Sequence, residues 1–340
     1  MSSPYPAQIS NTADDFTALR RRVAAAGCFD RAPLRSVTSL VAHVIGAAAL
    51  SVASARGPLW ATAPLFLAAS FLFYRIGWLM HDAAHGGVFV SAAGNHRFAA
   101  LCAGVLGAFP SGWRYGHNRH HAAPNVRGRD LDQSERWDPS RRYGDSLSAF
   151  VGLLLFSKFR GVYLPKTLLL LGLRDGYFCF RHARSSFVRE LVCSLGSLAL
   201  QATFFAVLFG WKGPLAFLVH TIIGLLYLNT AFAGNHYDLE SFDEAEAVRI
   251  DFAELQIRTT RNYPPGPLAG FVFGGLEYQI EHHLFPNMPR RGFARAAVEV
   301  RAFCAARGLR YEVKPFDECI RGVLRFHVDP PRLVPEAEPR

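Results

Sequence analysis

The chain has 340 residues, of which 50% are hydrophobic and 13% aromatic, and its mean hydropathy is positive at +0.12. A soluble protein of this length is rarely so apolar, so the composition favours an integral membrane protein with one membrane domain and a substantial soluble face. The net charge of +10 would suit nucleic acid, but the apolar content excludes that partner and favours basic loops beside an anionic lipid surface.

The N-terminal third predicts one cytoplasmic segment and one membrane hairpin. Residues 1–34 are polar and lack the order of a signal peptide, and Asp14–Ala26 has the pattern of an amphipathic helix. Ser36–Ala55 and Leu59–Met80 are apolar runs of about 20 residues, enough to cross roughly 30 Å of hydrocarbon. We therefore expect two spans joined by a short turn at Arg56-Gly57-Pro58.

The middle of the chain predicts a second hairpin. Phe98–Trp113 is short and interrupted by glycine and proline, as expected of a buried or re-entrant segment. Leu147–Leu173 is apolar but contains charged residues and proline, and we interpret it as an amphipathic helix at the membrane interface. Glu190–Gly210 and Leu215–Ala233 are the third and fourth predicted spans.

The basic residues predict which side of the membrane each end faces. The two predicted external turns contain only Arg56 and Lys212 of the 37 basic residues. The positive-inside rule then places both termini in the cytoplasm. The predicted fold is an all-α integral membrane protein with four transmembrane helices in two hairpins and a cytoplasmic helical cap. Its parts are an N-terminal segment (1–34), a membrane domain with that cap (35–310) and a C-terminal tail (311–340).

Three short histidine clusters occur at the predicted cytoplasmic ends of these segments. They read HDAAH, HNRHH and QIEHH, and comprise His81 and His85; His117, His120 and His121; and Gln279, His282 and His283. Spacings of three and four residues place the members of a cluster on one face of a helix. Isolated pairs of this kind are usually surface residues, but three matched clusters beside apolar segments indicate function. Imidazole binds iron, zinc, copper and nickel, and this number of ligands predicts two metal ions.

The three clusters, in this order and separation, resemble the histidine boxes of the membrane fatty acid desaturase family. Gln279–Pro289 looks specifically like the third box of front-end desaturases, in which glutamine replaces the first histidine. Ser111 and Trp113 before the second box, and the Asp130-x-Asp132 segment after it, fit the same family. The resemblance covers about residues 36–310.

This resemblance implies a di-iron centre that reduces O2 while a C=C bond is introduced into a fatty acyl chain. It implies these iron ligands, with His236 matching an additional histidine of the family: His81, His85, His117, His120, His121, His236, His282 and His283. Gln279 is a weaker ninth ligand, direct or through water, and Asn235 and Asp82 are further candidate residues at the cofactor. Asp82, Asn118 and Glu281 lie between ligands and are expected either to orient the imidazoles or to face solvent.

Further residues are expected to contact the acyl chain and its carrier. These apolar residues are expected to line a tunnel for the acyl chain, although most of them also suit ordinary packing: Leu72, Trp78, Phe109, Trp113, Phe232, Phe273 and Leu276. A basic set can meet a CoA phosphate or an acidic acyl carrier protein, or form a solvated surface: Arg119, Arg141, Arg142, Lys158 and Arg160. The expected substrate is a fatty acyl chain carried in a lipid, on CoA or on acyl carrier protein. The lipid bilayer is a further expected partner.

Many front-end desaturases carry a fused cytochrome b5 domain with an HPGG motif, which this sequence lacks. We therefore expect electrons from a separate ferredoxin or cytochrome b5. Three alternatives stay open at this point. The same scaffold can act as a hydroxylase, acetylenase or carotenoid ketolase. A metal-binding membrane transporter would place histidines or acids inside the spans, and a structural membrane protein would bind no iron.

Overall fold

The computed structural model describes residues 12–132, 147–148, 152, 156–159, 162–165 and 172–328. Helices predominate in these ranges. They are α1 (Thr12–Ala25), α2 (Pro33–Arg56), α3 (Leu59–Tyr74), α4 (Ile76–Ala84), α5 (Ala92–Leu106), α6 (Pro110–Ala122), α7 (Leu173–His182), α8 (Arg184–Phe209), α9 (Gly213–Ala233), α10 (Glu244–Ala247), α11 (Phe252–Arg258), α12 (Pro267–Phe273), α13 (Gln279–Leu284), α14 (Arg290–Ala306) and α15 (Phe316–Val328).

Three helical stretches of the described chain are long and apolar enough to cross a membrane. They are Pro33–Arg56, Leu59–Ala84 and Arg184–Ala233. The second contains α3 and α4, which are separated at Arg75, and the third contains α8 and α9, which are separated by a 3-10 turn at Gly210–Lys212. Helices α2 and α3 pack along each other, as do α8 and α9, so each predicted hairpin has its expected partner.

Large apolar side chains cover the outer faces of these helices. Val41 of α2, Val192 and Leu200 of α8 and Leu215 of α9 are all exposed. Exposed apolar side chains of this density are unfavourable in water and suit contact with lipid. The fold is therefore that of a membrane protein.

Helix α5 ends short of a membrane span and leads to the second histidine cluster. It begins at the N-cap Ser91, whose side chain accepts a hydrogen bond from the backbone of Gly94, and it ends at Gly107, which adopts a left-handed conformation. Pro110 then begins α6, where its missing N–H costs nothing. This short helix, buried along one face, agrees with the interrupted segment expected from the sequence.

The interfacial helix expected over 147–173 is wrong at 156–159 and 162–165, whereas the described positions 147, 148 and 152 are helical. Phe156–Phe159 and Val162–Pro165 form a two-stranded antiparallel hairpin, so the fold is mostly helical rather than all-α. Aromatic and β-branched residues favour strands, and the two strands are separated in the sequence by only two residues, one of them glycine. An apolar segment that contains charged residues predicts an interfacial helix. The strands are missed because alternation is hard to recognise over only four residues.

An apolar core lies beneath the third histidine cluster and joins α1 to α11, α13 and α14. Leu19 of α1, Ile257 of α11, Ile280 of α13 and Val300 of α14 are almost completely buried in it. The aromatic ring of Phe16 also stacks on that of Phe285, with their centroids 5.5 Å apart. Helix α13 has only six residues, so this surrounding core, rather than its own hydrogen bonds, holds its histidines in place.

Candidate metal centre

The three histidine clusters meet at one place in the structure, together with the histidine that follows α9. The eight residues are His81 in α4 and His85 at its C-cap; His117, His120 and His121 in α6; His236 in the turn after Ala233; and His282 and His283 in α13. Seven of the eight expose 8% of their surface or less, and His85 is partly buried. All eight predicted ligands are therefore brought together.

The eight histidines divide into two groups, each compact enough to hold a metal ion. One group contains His81, His85, His117, His121 and His282, and the other contains His120, His236 and His283. Within a group, one ring nitrogen from every member lies within 4.8 Å of the others. The division separates neighbours in the sequence: His120 and His121 belong to different groups, as do His282 and His283.

The ring nitrogens inside these groups have the environment expected of metal ligands. The Nε2 atoms of His121 and His282 lie 3.1 Å apart, and those of His120 and His236 lie 3.3 Å apart. The Nε2 atoms of His81, His85 and His283 are buried without a hydrogen-bond partner. Buried polar atoms without partners are costly, and a cation placed between such lone pairs would satisfy them. The residues present therefore fit a pair of metal ions.

Hydrogen bonds from the opposite ring nitrogen orient four of the imidazoles. Nδ1 of His117 lies 2.7 Å from a carboxylate oxygen of Asp132, and Nδ1 of His120 lies 2.8 Å from one of Asp130. An Nδ1–H that donates to an oxygen leaves the Nε2 lone pair directed into the group. Two other imidazoles are oriented in the same way. Gln256 Oε1 accepts a hydrogen bond from Nδ1 of His283, and the backbone carbonyl of Thr259 accepts one from Nδ1 of His236.

Burial favours the neutral form of four of these imidazoles. It lowers the pKa of His121, His282 and His283 well below the ordinary value, and the neighbouring imidazoles lower it further. Burial also lowers the pKa of His117, to about 4, although its bond to Asp132 acts in the opposite direction. Neutral imidazole is the form that binds metals.

Gln279 and Asn235 lie beside the smaller group. The Nε2 atom of Gln279 is 3.0 Å from Nε2 of His236, and its Oε1 is buried without a partner. An amide oxygen in that position is a suitable further ligand. Asn235 donates to the backbone carbonyls of Arg261 and Leu276, which fixes the turn that presents His236.

The three polar residues between the ligands have different surroundings. Asp82 lies 3.6 Å from Nδ1 of His81, too far for a hydrogen bond, and its carboxylate accepts from Arg290 at 2.6 Å. Asn118 is exposed, so it faces solvent. Glu281 is buried and accepts hydrogen bonds from Asn262 and Tyr311 instead of from an imidazole. Of the two expected alternatives, Asn118 therefore takes the solvent-facing one, and Glu281 takes neither.

Sequence signals for the residues that orient the imidazoles are weak. Asp130 and Asp132 belong to the pattern that fits the desaturase family, but their roles were not predicted. Gln256 and Thr259 lie in and after α11, far from any histidine in the sequence, and carry no local signal. Arg174 forms an ion pair with Asp132, the acceptor of His117, and so adds a positive charge beside the second cluster.

An apolar cavity of about 270 Å³ adjoins both histidine groups. His117 of the larger group and His120 and His236 of the smaller one line one wall. The remaining wall is mostly apolar, with Gly77, Met80, Leu106, Trp113, Leu228 and Phe232 among its residues, and it has a polar part formed by Asp132, Arg174, Asp175 and Asn229. Of the tunnel residues expected from the sequence, Trp113 and Phe232 line this cavity. Trp78 and Leu276 instead pack in the adjacent apolar core.

The basic residues expected at the acyl carrier fall mostly outside the described residues. Positions 141, 142 and 160 lie outside the described ranges, and the side chain of Lys158 is likewise not described. Arg119 is exposed and its guanidinium lies 4.7 Å from the ring centre of Tyr115.

Buried imidazoles in two groups, apolar helices suited to lipid and an adjoining cavity define a membrane protein whose histidine clusters suit a metal site. The family model described as Fatty acid desaturase matches residues 58–315, which is more than half of the chain. The chain belongs to the fatty acid desaturase family. It is an oxidoreductase of lipid metabolism, and its histidine clusters suit a metal site.

Curated relatives are similar along nearly the whole chain. The Delta(5) fatty acid desaturase fat-4 of Caenorhabditis elegans is 29% identical over 336 residues, covering 93% of this chain and 73% of the relative. The Delta(8)-fatty-acid desaturase of Euglena gracilis is 27% identical, covering 91% and 76%. The Acyl-lipid 8-desaturase of Rebecca salina is 29% identical, covering 95% and 76%.

Proposed function

We propose that this chain is an O2-dependent di-iron desaturase that introduces a C=C bond into a fatty acyl chain. One observation carries the proposal: two groups of buried histidines, several with ring nitrogens that have no hydrogen-bond partner, adjoin a cavity whose wall includes members of both groups. The proposed ligands of one iron are His81, His85, His117, His121 and His282. Those of the other are His120, His236 and His283, with Gln279 as an additional oxygen ligand.

The chain's own residues account for much of what such a reaction needs. When bound, the iron pair supplies the activation of O2 that allows an unactivated methylene to be oxidised. Trp113 and Phe232 confine the acyl chain against the histidine wall and exclude water from it. Asp130, Asp132 and Gln256 hold the imidazoles in one orientation, so that the irons stay fixed relative to the chain.

The names of the relatives support a bond position counted from the carboxyl end. Two of them are named for positions 5 and 8, and another is named as acting on acyl-lipids. The third histidine box resembles that of front-end desaturases. We infer that this chain acts toward the carboxyl end of an acyl chain, carried in a lipid, on CoA or on acyl carrier protein.

The proposed topology has four crossings, with both termini and the histidine sites in the cytoplasm. The two helical hairpins and the scarcity of basic residues in their connecting turns support it. The proposed electron donor is a separate ferredoxin or cytochrome b5, which the cytoplasmic face would meet. The hydroxylase, acetylenase and ketolase activities differ from this proposal only in product.

The test is expression in a bacterial host with a co-expressed ferredoxin system, followed by mass-spectrometric profiling of the fatty acids. Saturated, monounsaturated and polyunsaturated acids are supplied in turn, and His282→Ala is the matched control. A new unsaturated acid that the variant does not form supports the proposal and locates the bond. A hydroxylated or acetylenic product, or a purified chain without iron, overturns it.

A further inference from the structure

The cavity of about 270 Å³ beside the histidine groups is called the acyl cavity below. A second cavity, of about 430 Å³, lies on the other side of α4 from it. Arg75, Leu79 and Asp82 line it, whereas Gly77 and Met80 line the acyl cavity. Successive helical residues are rotated by about 100°, so these two sets lie on opposite faces of the same helix. A molecule in the second cavity is therefore separated from the acyl cavity by α4.

Arginine dominates the charge of this second cavity. Four arginines line it, against the two carboxyl groups of Asp82 and Glu277: Arg35, Arg75, Arg290 and Arg291. Asp82 is already paired with Arg290. Arg35 and Arg291 are exposed at the rim, and neither forms an ion pair within the described part of the chain. The cavity thus has a surplus of positive charge.

Arg75 is the buried member of this set, with 9% of its surface exposed. Its Nε donates to Nε2 of His43 at 3.0 Å, and Nδ1 of His43 lies 2.6 Å from the backbone oxygen of Ser39. His43 is therefore a neutral imidazole that donates through Nδ1 and accepts through Nε2. It provides no negative charge for the arginine.

The rest of the Arg75 guanidinium also lacks a counter-ion. Its carbon lies 3.9 Å from the ring centre of Phe271, and Nη1 is buried without a hydrogen-bond partner. No carboxylate of the described ranges forms an ion pair with it. Removing such a charge from water without a partner is expensive, particularly beside a bilayer, and a bound anion would offset that cost.

Two helix N-termini add to the positive potential at the same cavity. Ala32 and Arg35 belong to the start of α2, and Pro289 and Arg290 to the start of α14. Neither helix has a side-chain hydrogen bond at its N-cap. The helix dipoles at such ends favour anions, especially phosphate.

The surface beside the cavity is apolar. Leu34 precedes Arg35 and is 74% exposed, and Leu268 of α12 next to Pro267 is exposed to the same extent. Both lie next to residues that line the cavity. A ligand with a phosphate group and hydrocarbon chains matches this combination, whereas a free phosphate would leave the apolar residues uncovered.

We propose that this cavity binds the phosphate headgroup of an anionic membrane phospholipid, whose acyl chains lie along the exposed apolar residues of α2 and α12. The site is distinct from the acyl cavity. Its ligand neutralises Arg75 and connects α2, α4, α12 and α14. Because α4 carries His81 and α14 follows the third histidine box, the bound lipid stabilises the arrangement of the metal centre.

The experiment uses the full chain, purified in a nonionic detergent and freed of bound lipid. Phosphatidylglycerol is titrated in while native mass spectrometry counts bound lipid and thermal unfolding reports stabilisation. Parallel titrations use phosphatidylcholine and inorganic phosphate. The variants are Arg75→Met and the rim pair Arg35→Gln with Arg291→Gln, and Arg249→Gln, an exposed arginine outside the cavity, is the control.

We expect one tightly held phosphatidylglycerol per chain, raising the melting temperature of the wild type and the control equally. Its affinity should fall at least about tenfold in Arg75→Met and in the rim variant, because each loses charge-assisted hydrogen bonds. Phosphatidylcholine should bind more weakly. The rim variant alters only exposed residues, so it decides the outcome even if Arg75→Met fails to fold.

Unchanged phosphatidylglycerol binding in the folded variants would overturn the proposal. So would a full thermal shift with inorganic phosphate alone at concentrations comparable to the lipid, because the site would then take a soluble phosphate compound. Binding is measured without turnover or electron donor. A negative result therefore leaves the proposed desaturase activity untouched, and loss of that activity leaves this site untouched.

Discussion

The side-chain oxygen of Gln256 lies 2.8 Å from Nδ1 of His283 and accepts its hydrogen bond. The amide nitrogen of the same residue donates to the backbone carbonyl of His121 at 3.1 Å. His121 and His283 belong to different histidine groups. Gln256, which is completely buried, therefore connects the two histidine groups through one side chain.

Replacement of this connection should weaken metal binding without removing a ligand. Gln256→Leu leaves Nδ1 of His283 without an acceptor, and we expect iron affinity to fall about 10–100-fold, as is typical for residues that orient metal ligands. Iron content of the purified chain at graded chelator concentrations measures it. Glu254→Gln on the same helix removes only a surface ion pair and should keep wild-type iron. Full iron retention in Gln256→Leu would contradict this role.

The two aspartates after the second box should act on separate sites. Asp132→Asn removes the anionic acceptor of His117, and Asp130→Asn removes that of His120. Each should lower iron affinity about 10–100-fold, mainly at the group that contains its histidine. Stepwise iron loss during chelation, followed by Mössbauer spectroscopy, separates the two sites. Arg127→Gln, an exposed neighbour, is the control. Equal loss from both sites in both variants would refute this assignment.

Adjacent histidines of the third box should hold different ions. His282→Ala removes a ligand from the larger group and His283→Ala one from the smaller group. We expect each purified variant to lose mainly one iron per chain, and the two remaining sites to differ in their spectra. Metal analysis and electron paramagnetic resonance of the oxidised and reduced chain check this. Identical spectra with identical iron content would show that the division into groups does not govern binding.

Gly77 should control access to the acyl cavity. A Cβ added at Gly77 would meet Leu228 at an ordinary distance of 3.6 Å, so a larger side chain there extends into the cavity without disturbing the backbone. We expect Gly77→Leu to keep its iron and its melting temperature but to lower desaturation about tenfold or more, since the chain is displaced from the metal wall. Gly104→Leu, at a position with no atom nearby, is the matched control. Wild-type turnover in Gly77→Leu would place the acyl chain elsewhere.

Glu190 should stabilise the helix that carries the second box. Its carboxylate accepts hydrogen bonds from the backbone N–H and hydroxyl of Ser111, in the first turn of α6. Glu190→Ala removes the acceptor of both partly buried donors, and we expect a loss of about 1–3 kcal/mol of folding free energy. Thermal unfolding in detergent measures it. Glu190→Gln keeps an acceptor and should cost less; an equal loss in both variants would assign the effect to charge alone.

The apolar runs and the histidine spacings were enough to predict the helical hairpins, the meeting of the clusters and the family. Both signals are local. A helix that faces lipid needs about 20 apolar residues in succession, and ligands on one helix face need offsets of three or four. The same signals could not reveal the short hairpin at 156–165, because four-residue strands contain too little alternation.

Only the tertiary structure decided which histidines share a group. His120 and His121, although adjacent, differ by about 100° around α6. Their imidazoles therefore point in different directions, so that His120 joins His236 and His283 while His121 joins the larger group. It also decided the partners of those imidazoles, because Gln256 and Thr259 reach the site through folding of a distant segment. Sequence determined which chemistry the chain carries, while packing between distant helices determined where each nitrogen points.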